Sequence, residues 1–316
     1  MKRILILLLV LALVLPGAGA ADYIKWVDFH VSYEALDQAL SLDIRSQEED
    51  MPVSWITLLA LAACRTGGRV TGPSVELAYR DFLTGRSPQE LLGELSKYYD
   101  YYLEAYTAAL GGLVGNYAIL VEENGEKVWK AQYGLKAFSP VAAGYGYSHC
   151  DDFGVGRSYG FARKHLGNDL MGALGTPIVA VESGRVEALG WNQYGGWRVG
   201  IRSDDNRRYY YYAHLQKDHP FAPGLQEGDR VQAGQVIGFM GRTGYSTREN
   251  VNNIETVHLH FGLQLIFDES QKECNSEIWI DVYPIVRLLN RHRSSVAKQP
   301  DGTWARIYDY KDLDIP

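Results

Sequence analysis

Two hydrophobic patterns divide this chain. Between residue 22 and about residue 120, apolar side chains recur every three or four positions, which is the spacing of an amphipathic helix. From about residue 134, short apolar runs rich in β-branched residues alternate with glycines. The pattern therefore predicts a multidomain α+β protein, with an N-terminal all-α domain followed by a C-terminal antiparallel β-sheet domain.

Residues typical of helix and strand ends indicate where the individual helices and strands lie. Helices are expected over residues 33–44, 54–63 and 74–83, and another begins after Ser87, an N-cap serine followed by a proline, and runs to Tyr106. The tyrosines near its end form either a packed helix face, which we expect, or a carbohydrate-stacking surface. Residues 282–289 read as one more helix. Strands are predicted over residues 178–181, 184–186, 198–201, 209–214, 236–239 and 257–267.

The first twenty residues have the layout of a secretory signal peptide. A basic start precedes a 12-residue apolar run, and small residues follow up to Ala20, where we expect cleavage. The apolar run is shorter than the ~20 residues that cross a bilayer, so no membrane span is expected after cleavage. The predicted organisation is a signal peptide over 1–20, a helical domain over 21–135, a connecting segment over 136–158, a β-rich domain over 159–290 and a C-terminal tail over 291–316.

Composition narrows the class of protein. The chain has 316 residues, of which 46% are hydrophobic, and a formal net charge of −7 at pH 7. These values fit a folded globular protein, and the acidic balance argues against nucleic acid as a partner. Three cysteines allow at most one disulfide, so cysteine pairing does not determine the fold.

Histidines supply the candidate chemistry. His165 and Asp169 stand four residues apart, which is a weak signal by itself. His258 and His260 alternate along a predicted strand and so share one face, while His214 ends another strand. A hydrolytic zinc site needs three protein ligands, commonly two histidines and a carboxylate, with one position open. His165, Asp169 and one histidine of the 258/260 pair would supply that set, and the remaining histidines could orient or deprotonate a water.

Beyond these residues, a series of ordered motifs resembles the lysostaphin (LytM) type of zinc metallopeptidases, which cut peptidoglycan peptides. The motifs are His165-x-Gly167-x-Asp169, Gly175-Thr176-Pro177, Tyr212-Ala213-His214-Leu215, Gly228-Asp229-x-Val231, Gly241-x-Thr243-Gly244 and His258-Leu259-His260-Phe261. The resemblance covers roughly residues 159–267.

The resemblance assigns a role to each candidate residue. It implies the duplicated hybrid motif fold and one Zn²⁺ per chain, held by His165, Asp169 and His260. It implies further that His258 and His214 form the catalytic pair and that Tyr159 assists the oxyanion. One departure is a longer loop over residues 248–257, expected beside the groove, where the family has a Gly-Pro turn.

These observations predict a secreted or envelope-facing zinc metalloendopeptidase that hydrolyses peptide bonds in peptidoglycan, in either the stem peptide or the cross-bridge. The helical domain could recruit an envelope protein partner. A catalytically silent peptidoglycan-binding or hydrolase-activator protein is the alternative. A cysteine hydrolase built on His149 and Cys150 is weaker, because adjacent side chains point apart. A purely structural zinc site is disfavoured, because such sites are usually closed by four protein ligands.

Overall fold

The computed structural model describes residues 23–158, 162–272 and 276–314. The predicted signal peptide lies outside these ranges. The helices of the described residues are α1 (Tyr33–Ser46), α2 (Trp55–Thr66), α3 (Gly72–Phe82), α4 (Pro88–Leu92), α5 (Tyr99–Leu110) and α6 (Tyr283–Leu289). Within the same ranges, none of the helices combines the length and the apolar character needed to cross a lipid bilayer.

The strands, in chain order, are β1 (His30–Val31), β2 (Arg69–Val70), β3 (Val114–Glu123), β4 (Glu126–Leu135), β5 (Tyr147–His149), β6 (Gly156–Ser158), β7 (Ala162–Lys164), β8 (Asn168–Gly172), β9 (Pro177–Val179), β10 (Gly184–Asn192), β11 (Gly196–Ser203), β12 (Arg208–Ala213), β13 (Arg230–Val231), β14 (Val236–Phe239), β15 (His258–Leu265), β16 (Ile278–Ile280), β17 (Val296–Lys298), β18 (Trp304–Arg306) and β19 (Tyr310–Asp312). The chain thus combines helices with largely antiparallel sheets, as the hydrophobic pattern predicts.

Capping residues delimit the N-terminal helices. The Ser54 side chain accepts a hydrogen bond from the Ile56 amide at the start of α2, and Gly67 ends that helix in the left-handed conformation, with φ of 61°. A capping box between Ser87 and Glu90 opens α4. These helix starts agree with the sequence signals, because each cap satisfies backbone amides that a helix end leaves without partners.

Residues 114–135 form a β-hairpin, although the sequence analysis included them in the helical domain. Strands β3 and β4 pair antiparallel along their whole length. Asn124 and Gly125 connect them with φ of 54° and 81°, the positive values that a two-residue hairpin turn requires. The Asn-Gly pair is a hairpin signal that the sequence analysis overlooked.

An eight-stranded antiparallel sheet forms the C-terminal part. Its strand order is β13-β10-β11-β12-β15-β8-β5, and β16 also pairs with β15. Strand β5 belongs to the segment that the sequence analysis treated as a connection, so this segment supplies an edge of the sheet. The predicted tail contributes as well, because β19 pairs with β3 and its Tyr310 is buried.

The helices and the sheet share one hydrophobic core. Buried residues such as Leu58 of α2, Tyr106 of α5, Tyr210 of β12 and Leu263 of β15 belong to a single contact cluster. This common core packs the helical part of the chain against the sheet. Strand β15 runs through the middle of the sheet between β12 and β8.

Candidate metal centre

Three neighbouring strands bring the predicted site residues together. Asp169 on β8 and His260 on β15 are register partners, so their side chains project from the same face of the sheet. His258 lies on that face too, because alternate residues of a strand point the same way. On the other side of β15, Ala213 pairs with His260 and thereby places His214 at the end of β12. The pairing of these three strands therefore brings Asp169, His258, His260 and His214 close together.

His165, Asp169 and His260 form the tightest group. Nε2 of His165 lies 2.7 Å from Nδ1 of His260 and 3.1 Å from Oδ1 of Asp169. Nδ1 of His260 lies 3.4 Å from the same carboxylate oxygen. One nitrogen or oxygen atom from each side chain falls within 4.8 Å of the other two, which makes the three residues a cluster able to hold a metal ion.

The two carboxylate oxygens of Asp169 differ in their hydrogen bonding. Oδ2 accepts a hydrogen bond from Nη2 of Arg157 at 3.1 Å. Oδ1 is buried and makes no hydrogen bond of its own, although a buried acceptor normally has a partner. An unpartnered buried oxygen between two imidazole nitrogens fits a cation, since two histidines and one carboxylate are a ligand set that zinc commonly takes. The donor set of this chain thus fits the implied Zn²⁺.

The protonation states also suit metal ligands. Burial raises the pKa of Asp169, but the imidazoles of His165 and His260 beside the carboxylate outweigh it and hold that pKa well below its usual range. Burial lowers the pKa of His260, a shift that the neighbouring Asp169 carboxylate partly opposes. The site therefore favours an ionised carboxylate beside a neutral imidazole, which are the forms that bind a divalent cation.

His214 and His258 stand together beside this cluster. Their ring centroids are 4.8 Å apart, and the His214 ring lies 5.9 Å from that of His260. Nε2 of His258 is 3.7 Å from Oδ1 of Asp169. Both histidines are buried, and burial lowers the pKa of His214 far below its ordinary value, with His258 and His260 adding to the shift.

Backbone carbonyls fix the tautomers of these two rings. Nδ1 of His214 lies 2.9 Å from the Thr243 carbonyl oxygen, and Nδ1 of His258 lies 2.9 Å from that of Thr256. A carbonyl oxygen only accepts, so each Nδ1 donates its proton and each Nε2 retains a lone pair. His214 also adopts a left-handed backbone, with φ of 62°, which is uncommon outside glycine. Both rings are therefore oriented before any substrate arrives.

Two residues that the sequence analysis missed support the centre. Asp152 contacts His165, and its Oδ1 accepts from the Asp169 amide at 3.2 Å. Arg157 bridges the carboxylates, with Nη2 at 2.6 Å from Asp152 and 3.1 Å from Asp169. Asp152 lies in an irregular segment and Arg157 on the short strand β6. In the sequence, only the acidic pair at 151–152 hinted at a role.

The remaining predictions have different outcomes. Tyr159 lies outside the described residues, so its predicted role stays a prediction. The loop over residues 248–257 packs at the rim of the centre: Asn253 donates to the Tyr245 carbonyl, and the Tyr245 ring lies 5.8 Å from that of His214. Burial raises the pKa of the Cys150 thiol, which works against the thiolate that a cysteine hydrolase would need.

The chain is similar to known peptidases. Residues 163–273 match peptidase family M23. The sequence is 38% identical over 146 residues to the L-Ala–D-Glu endopeptidase of Bacillus subtilis, an alignment that spans 46% of this chain and 41% of the relative. It is 37% identical over 119 residues to lysostaphin of Staphylococcus simulans, spanning 37% of this chain and 20% of the relative. The alignments thus cover well under half of these relatives.

A solved structure extends the likeness in fold. A LytM protein from Ruminococcus gnavus superposes with a TM-score of 0.50 at 23% sequence identity, covering 85% of this chain and 91% of that one. At this identity the likeness concerns the fold alone. The match to peptidase family M23 lies within the β-rich part of the chain, and the superposition shows a similar fold.

Proposed function

We propose that this protein is a zinc-dependent endopeptidase that hydrolyses peptide bonds of peptidoglycan outside the cytoplasm. The observation that carries the proposal is the cluster of His165, Asp169 and His260, in which Oδ1 of Asp169 is buried without a hydrogen-bond partner. The names of the relatives support the substrate class, since they include a peptidoglycan DD-endopeptidase of Vibrio cholerae.

His165, Asp169 and His260 would hold the ion through Nε2, Oδ1 and Nδ1. When bound, Zn²⁺ supplies a Lewis acid that polarises the substrate carbonyl and eases deprotonation of a water. A site with three protein ligands leaves a position open for chemistry, whereas a structural zinc site is closed by four. Within the described residues, no fourth metal ligand joins the cluster.

His258 and His214 carry out the proton chemistry in this proposal. Each presents an Nε2 lone pair, because its Nδ1 donates to a backbone carbonyl. The lowered pKa of His214 keeps that ring neutral near pH 7, so one histidine can accept a proton from the attacking water. Once protonated, the same ring can deliver that proton to the leaving amine.

The proposal is tested by digesting purified peptidoglycan with the protein and identifying the released fragments by mass spectrometry. The expected result is a set of fragments cut at one kind of peptide bond, abolished by a chelator and absent with His260→Ala. His219→Ala is the matched control, because His219 is exposed and lies outside the cluster. Failure to cleave would contradict the enzyme and favour a silent peptidoglycan-binding or activator protein.

A further inference from the structure

An open groove lined with aromatic side chains extends away from the metal centre. It consists of two adjoining clefts of about 640 Å³ and 290 Å³, which share Trp26 and Asp28 as lining residues. The larger cleft is also lined by Leu166 and Trp279, and the smaller one by Tyr98 and neighbouring tyrosines. We call the two clefts together the aromatic groove.

The segment around Trp26 leaves the Trp26 side chain exposed to solvent. Val27 and Phe29 are buried, so this extended stretch turns Trp26 and Asp28 to its outer face. Its backbone is held on both sides: the Ile24 carbonyl accepts from Nε2 of Gln271 at 2.8 Å, and the Trp26 carbonyl accepts from the Tyr101 hydroxyl at 3.2 Å.

The Trp26 indole is nevertheless 65% exposed, which is unusual for so large an apolar side chain. Tyr98, at the far end of the groove, is 47% exposed. Large aromatic faces left open on a fixed backbone mark a binding surface rather than a core position.

The polar groups of the groove indicate the chemistry of its ligand. Lys25 and Lys164 line the larger cleft together with Asp28 and Glu277, so cations and carboxylates are balanced. That balance favours an uncharged ligand over an anionic or a cationic one. Alternating apolar faces and hydrogen-bonding groups match a sugar chain, because each pyranose ring offers an apolar face and a rim of hydroxyls.

The groove lies close to the metal centre. Leu166, which lines the larger cleft, directly follows the predicted zinc ligand His165. Trp279, which also lines the larger cleft, packs edge-on against Tyr211, with ring centroids 6.1 Å apart. The centroid of the Tyr211 ring lies 5.8 Å from that of the His260 ring. A polymer whose peptide branch enters the metal centre would therefore bring its backbone to the groove.

We propose that the aromatic groove binds the glycan strand of peptidoglycan, with sugar rings stacked on Trp26 and Tyr98. The inference rests on the proposed function, because it takes the peptide attached to that strand as the substrate of the metal centre. It assigns a binding role to the N-terminal segment and to Tyr98, which directly precedes α5. The endopeptidase activity alone does not use either of them.

Binding is measured with peptide-free glycan strands, prepared by removing the stem peptides with an amidase. Trp26→Ala and Tyr98→Ala are compared with the unaltered protein by isothermal titration calorimetry. Each variant should bind about tenfold more weakly, the loss expected when one aromatic stacking contact is removed. Trp129→Ala is the matched control: Trp129 is 38% exposed on the β3–β4 hairpin, outside the groove, and should bind as the unaltered protein does.

Thermal unfolding of each variant checks that the fold is intact. No binding of the glycan strands by the unaltered protein would overturn the proposal, and so would equal binding by Trp26→Ala and Trp129→Ala. A loss of affinity for free stem peptide instead of glycan would assign the groove to the peptide and overturn it as well.

A second assay separates this proposal from the endopeptidase. Hydrolysis of a sugar-free stem peptide should be the same for Trp26→Ala and the unaltered protein, whereas cleavage of intact peptidoglycan should fall severalfold. If neither substrate is cleaved by any form, the endopeptidase fails, but the calorimetry still decides whether the groove binds glycan. Equal cleavage of intact peptidoglycan by Trp26→Ala and the unaltered protein would contradict glycan binding by the aromatic groove and leave the endopeptidase proposal standing.

Discussion

The His165 ring is held by the backbone and side chain of Asp152, thirteen residues earlier in the chain. Nδ1 of His165 lies 3.1 Å from the Asp152 carbonyl oxygen and 3.2 Å from its Oδ2. Both oxygens accept, so Nδ1 carries the proton and the Nε2 lone pair faces Asp169 and His260. This is how a second residue fixes the tautomer and direction of a histidine ligand.

Replacing Asp152 should weaken metal binding without touching a ligand. We expect Asp152→Asn to bind Zn²⁺ about 10- to 100-fold more weakly, because the ring of His165 loses its charged acceptor. The affinity is measured by competition with a chromogenic chelator. Asp151→Asn is the matched control, since Asp151 is exposed, and equal affinities for the two variants would contradict this role of Asp152.

The two histidines beside the cluster should separate metal binding from catalysis. His258→Gln and His214→Gln should keep one zinc per chain and lose about 10²- to 10⁴-fold in the rate of peptide hydrolysis, the usual contribution of a positioned acid or base. Zinc content is measured by mass spectrometry of the metal and the rate by release of amino groups. Full activity in either variant would remove that histidine from the mechanism.

A buried ion pair should stabilise the junction between the helices and the sheet. Arg208 is 1% exposed, and its guanidinium donates to both oxygens of Glu182 and to the Thr107 and Ala108 carbonyls at the end of α5. Arg208→Met leaves the Glu182 charge buried, so the free energy of unfolding should fall by about 3–5 kcal/mol.

Urea denaturation measures this loss. Arg207→Met is the control, because the Arg207 side chain is 42% exposed and pairs with the exposed Glu104, and such surface pairs contribute only about 0–1 kcal/mol. Comparable losses for the two variants would show that the Arg208 pair does not stabilise the junction.

The stability of the protein should fall in mild acid partly through His149. Burial lowers its pKa to about 4, and nearby Arg287 adds to the shift. The folded state favours the neutral ring, so His149 contributes fully to the free energy of unfolding when the pH is above the unfolded pKa of about 6.5. This contribution is lost as the pH falls from 6.5 toward 4.

Thermal unfolding across this range compares the protein with His149→Phe. The Phe variant should lose less stability between pH 6.5 and 4 than the unaltered protein, because it has no ring to protonate in the unfolded state. Parallel curves for the two proteins would contradict the assignment.

The sequence predicts much of the centre because its residues follow simple periodicities. Alternation along a strand puts His258 and His260 on one face, and the structure has both on β15. The position of Asp169 opposite His260, by contrast, depends on the register between β8 and β15, which comes from the whole sheet. Asp152 and Arg157 were missed for a similar reason, since their contacts with Asp169 join separate elements of the chain.

The fold was predictable where local signals dominate. Ser54, Ser87 and Gly67 mark helix ends that the structure reproduces. The β3–β4 hairpin was missed because the apolar spacing before it suggested a helix, although its Asn-Gly turn was visible in the sequence. The pairing of β19 with β3 joins residues almost 200 positions apart, a contact that no local pattern contains.

The central claim is that His165, Asp169 and His260 hold one zinc ion that peptide hydrolysis requires. The most direct test is to strip the protein of metal and follow the rate of peptidoglycan cleavage while Zn²⁺ is added back in known amounts. The account predicts no cleavage without metal, a rise that levels off at one zinc per chain, and no recovery in His260→Ala. Cleavage by the metal-free protein, or recovery by His260→Ala at the same zinc level, would contradict it.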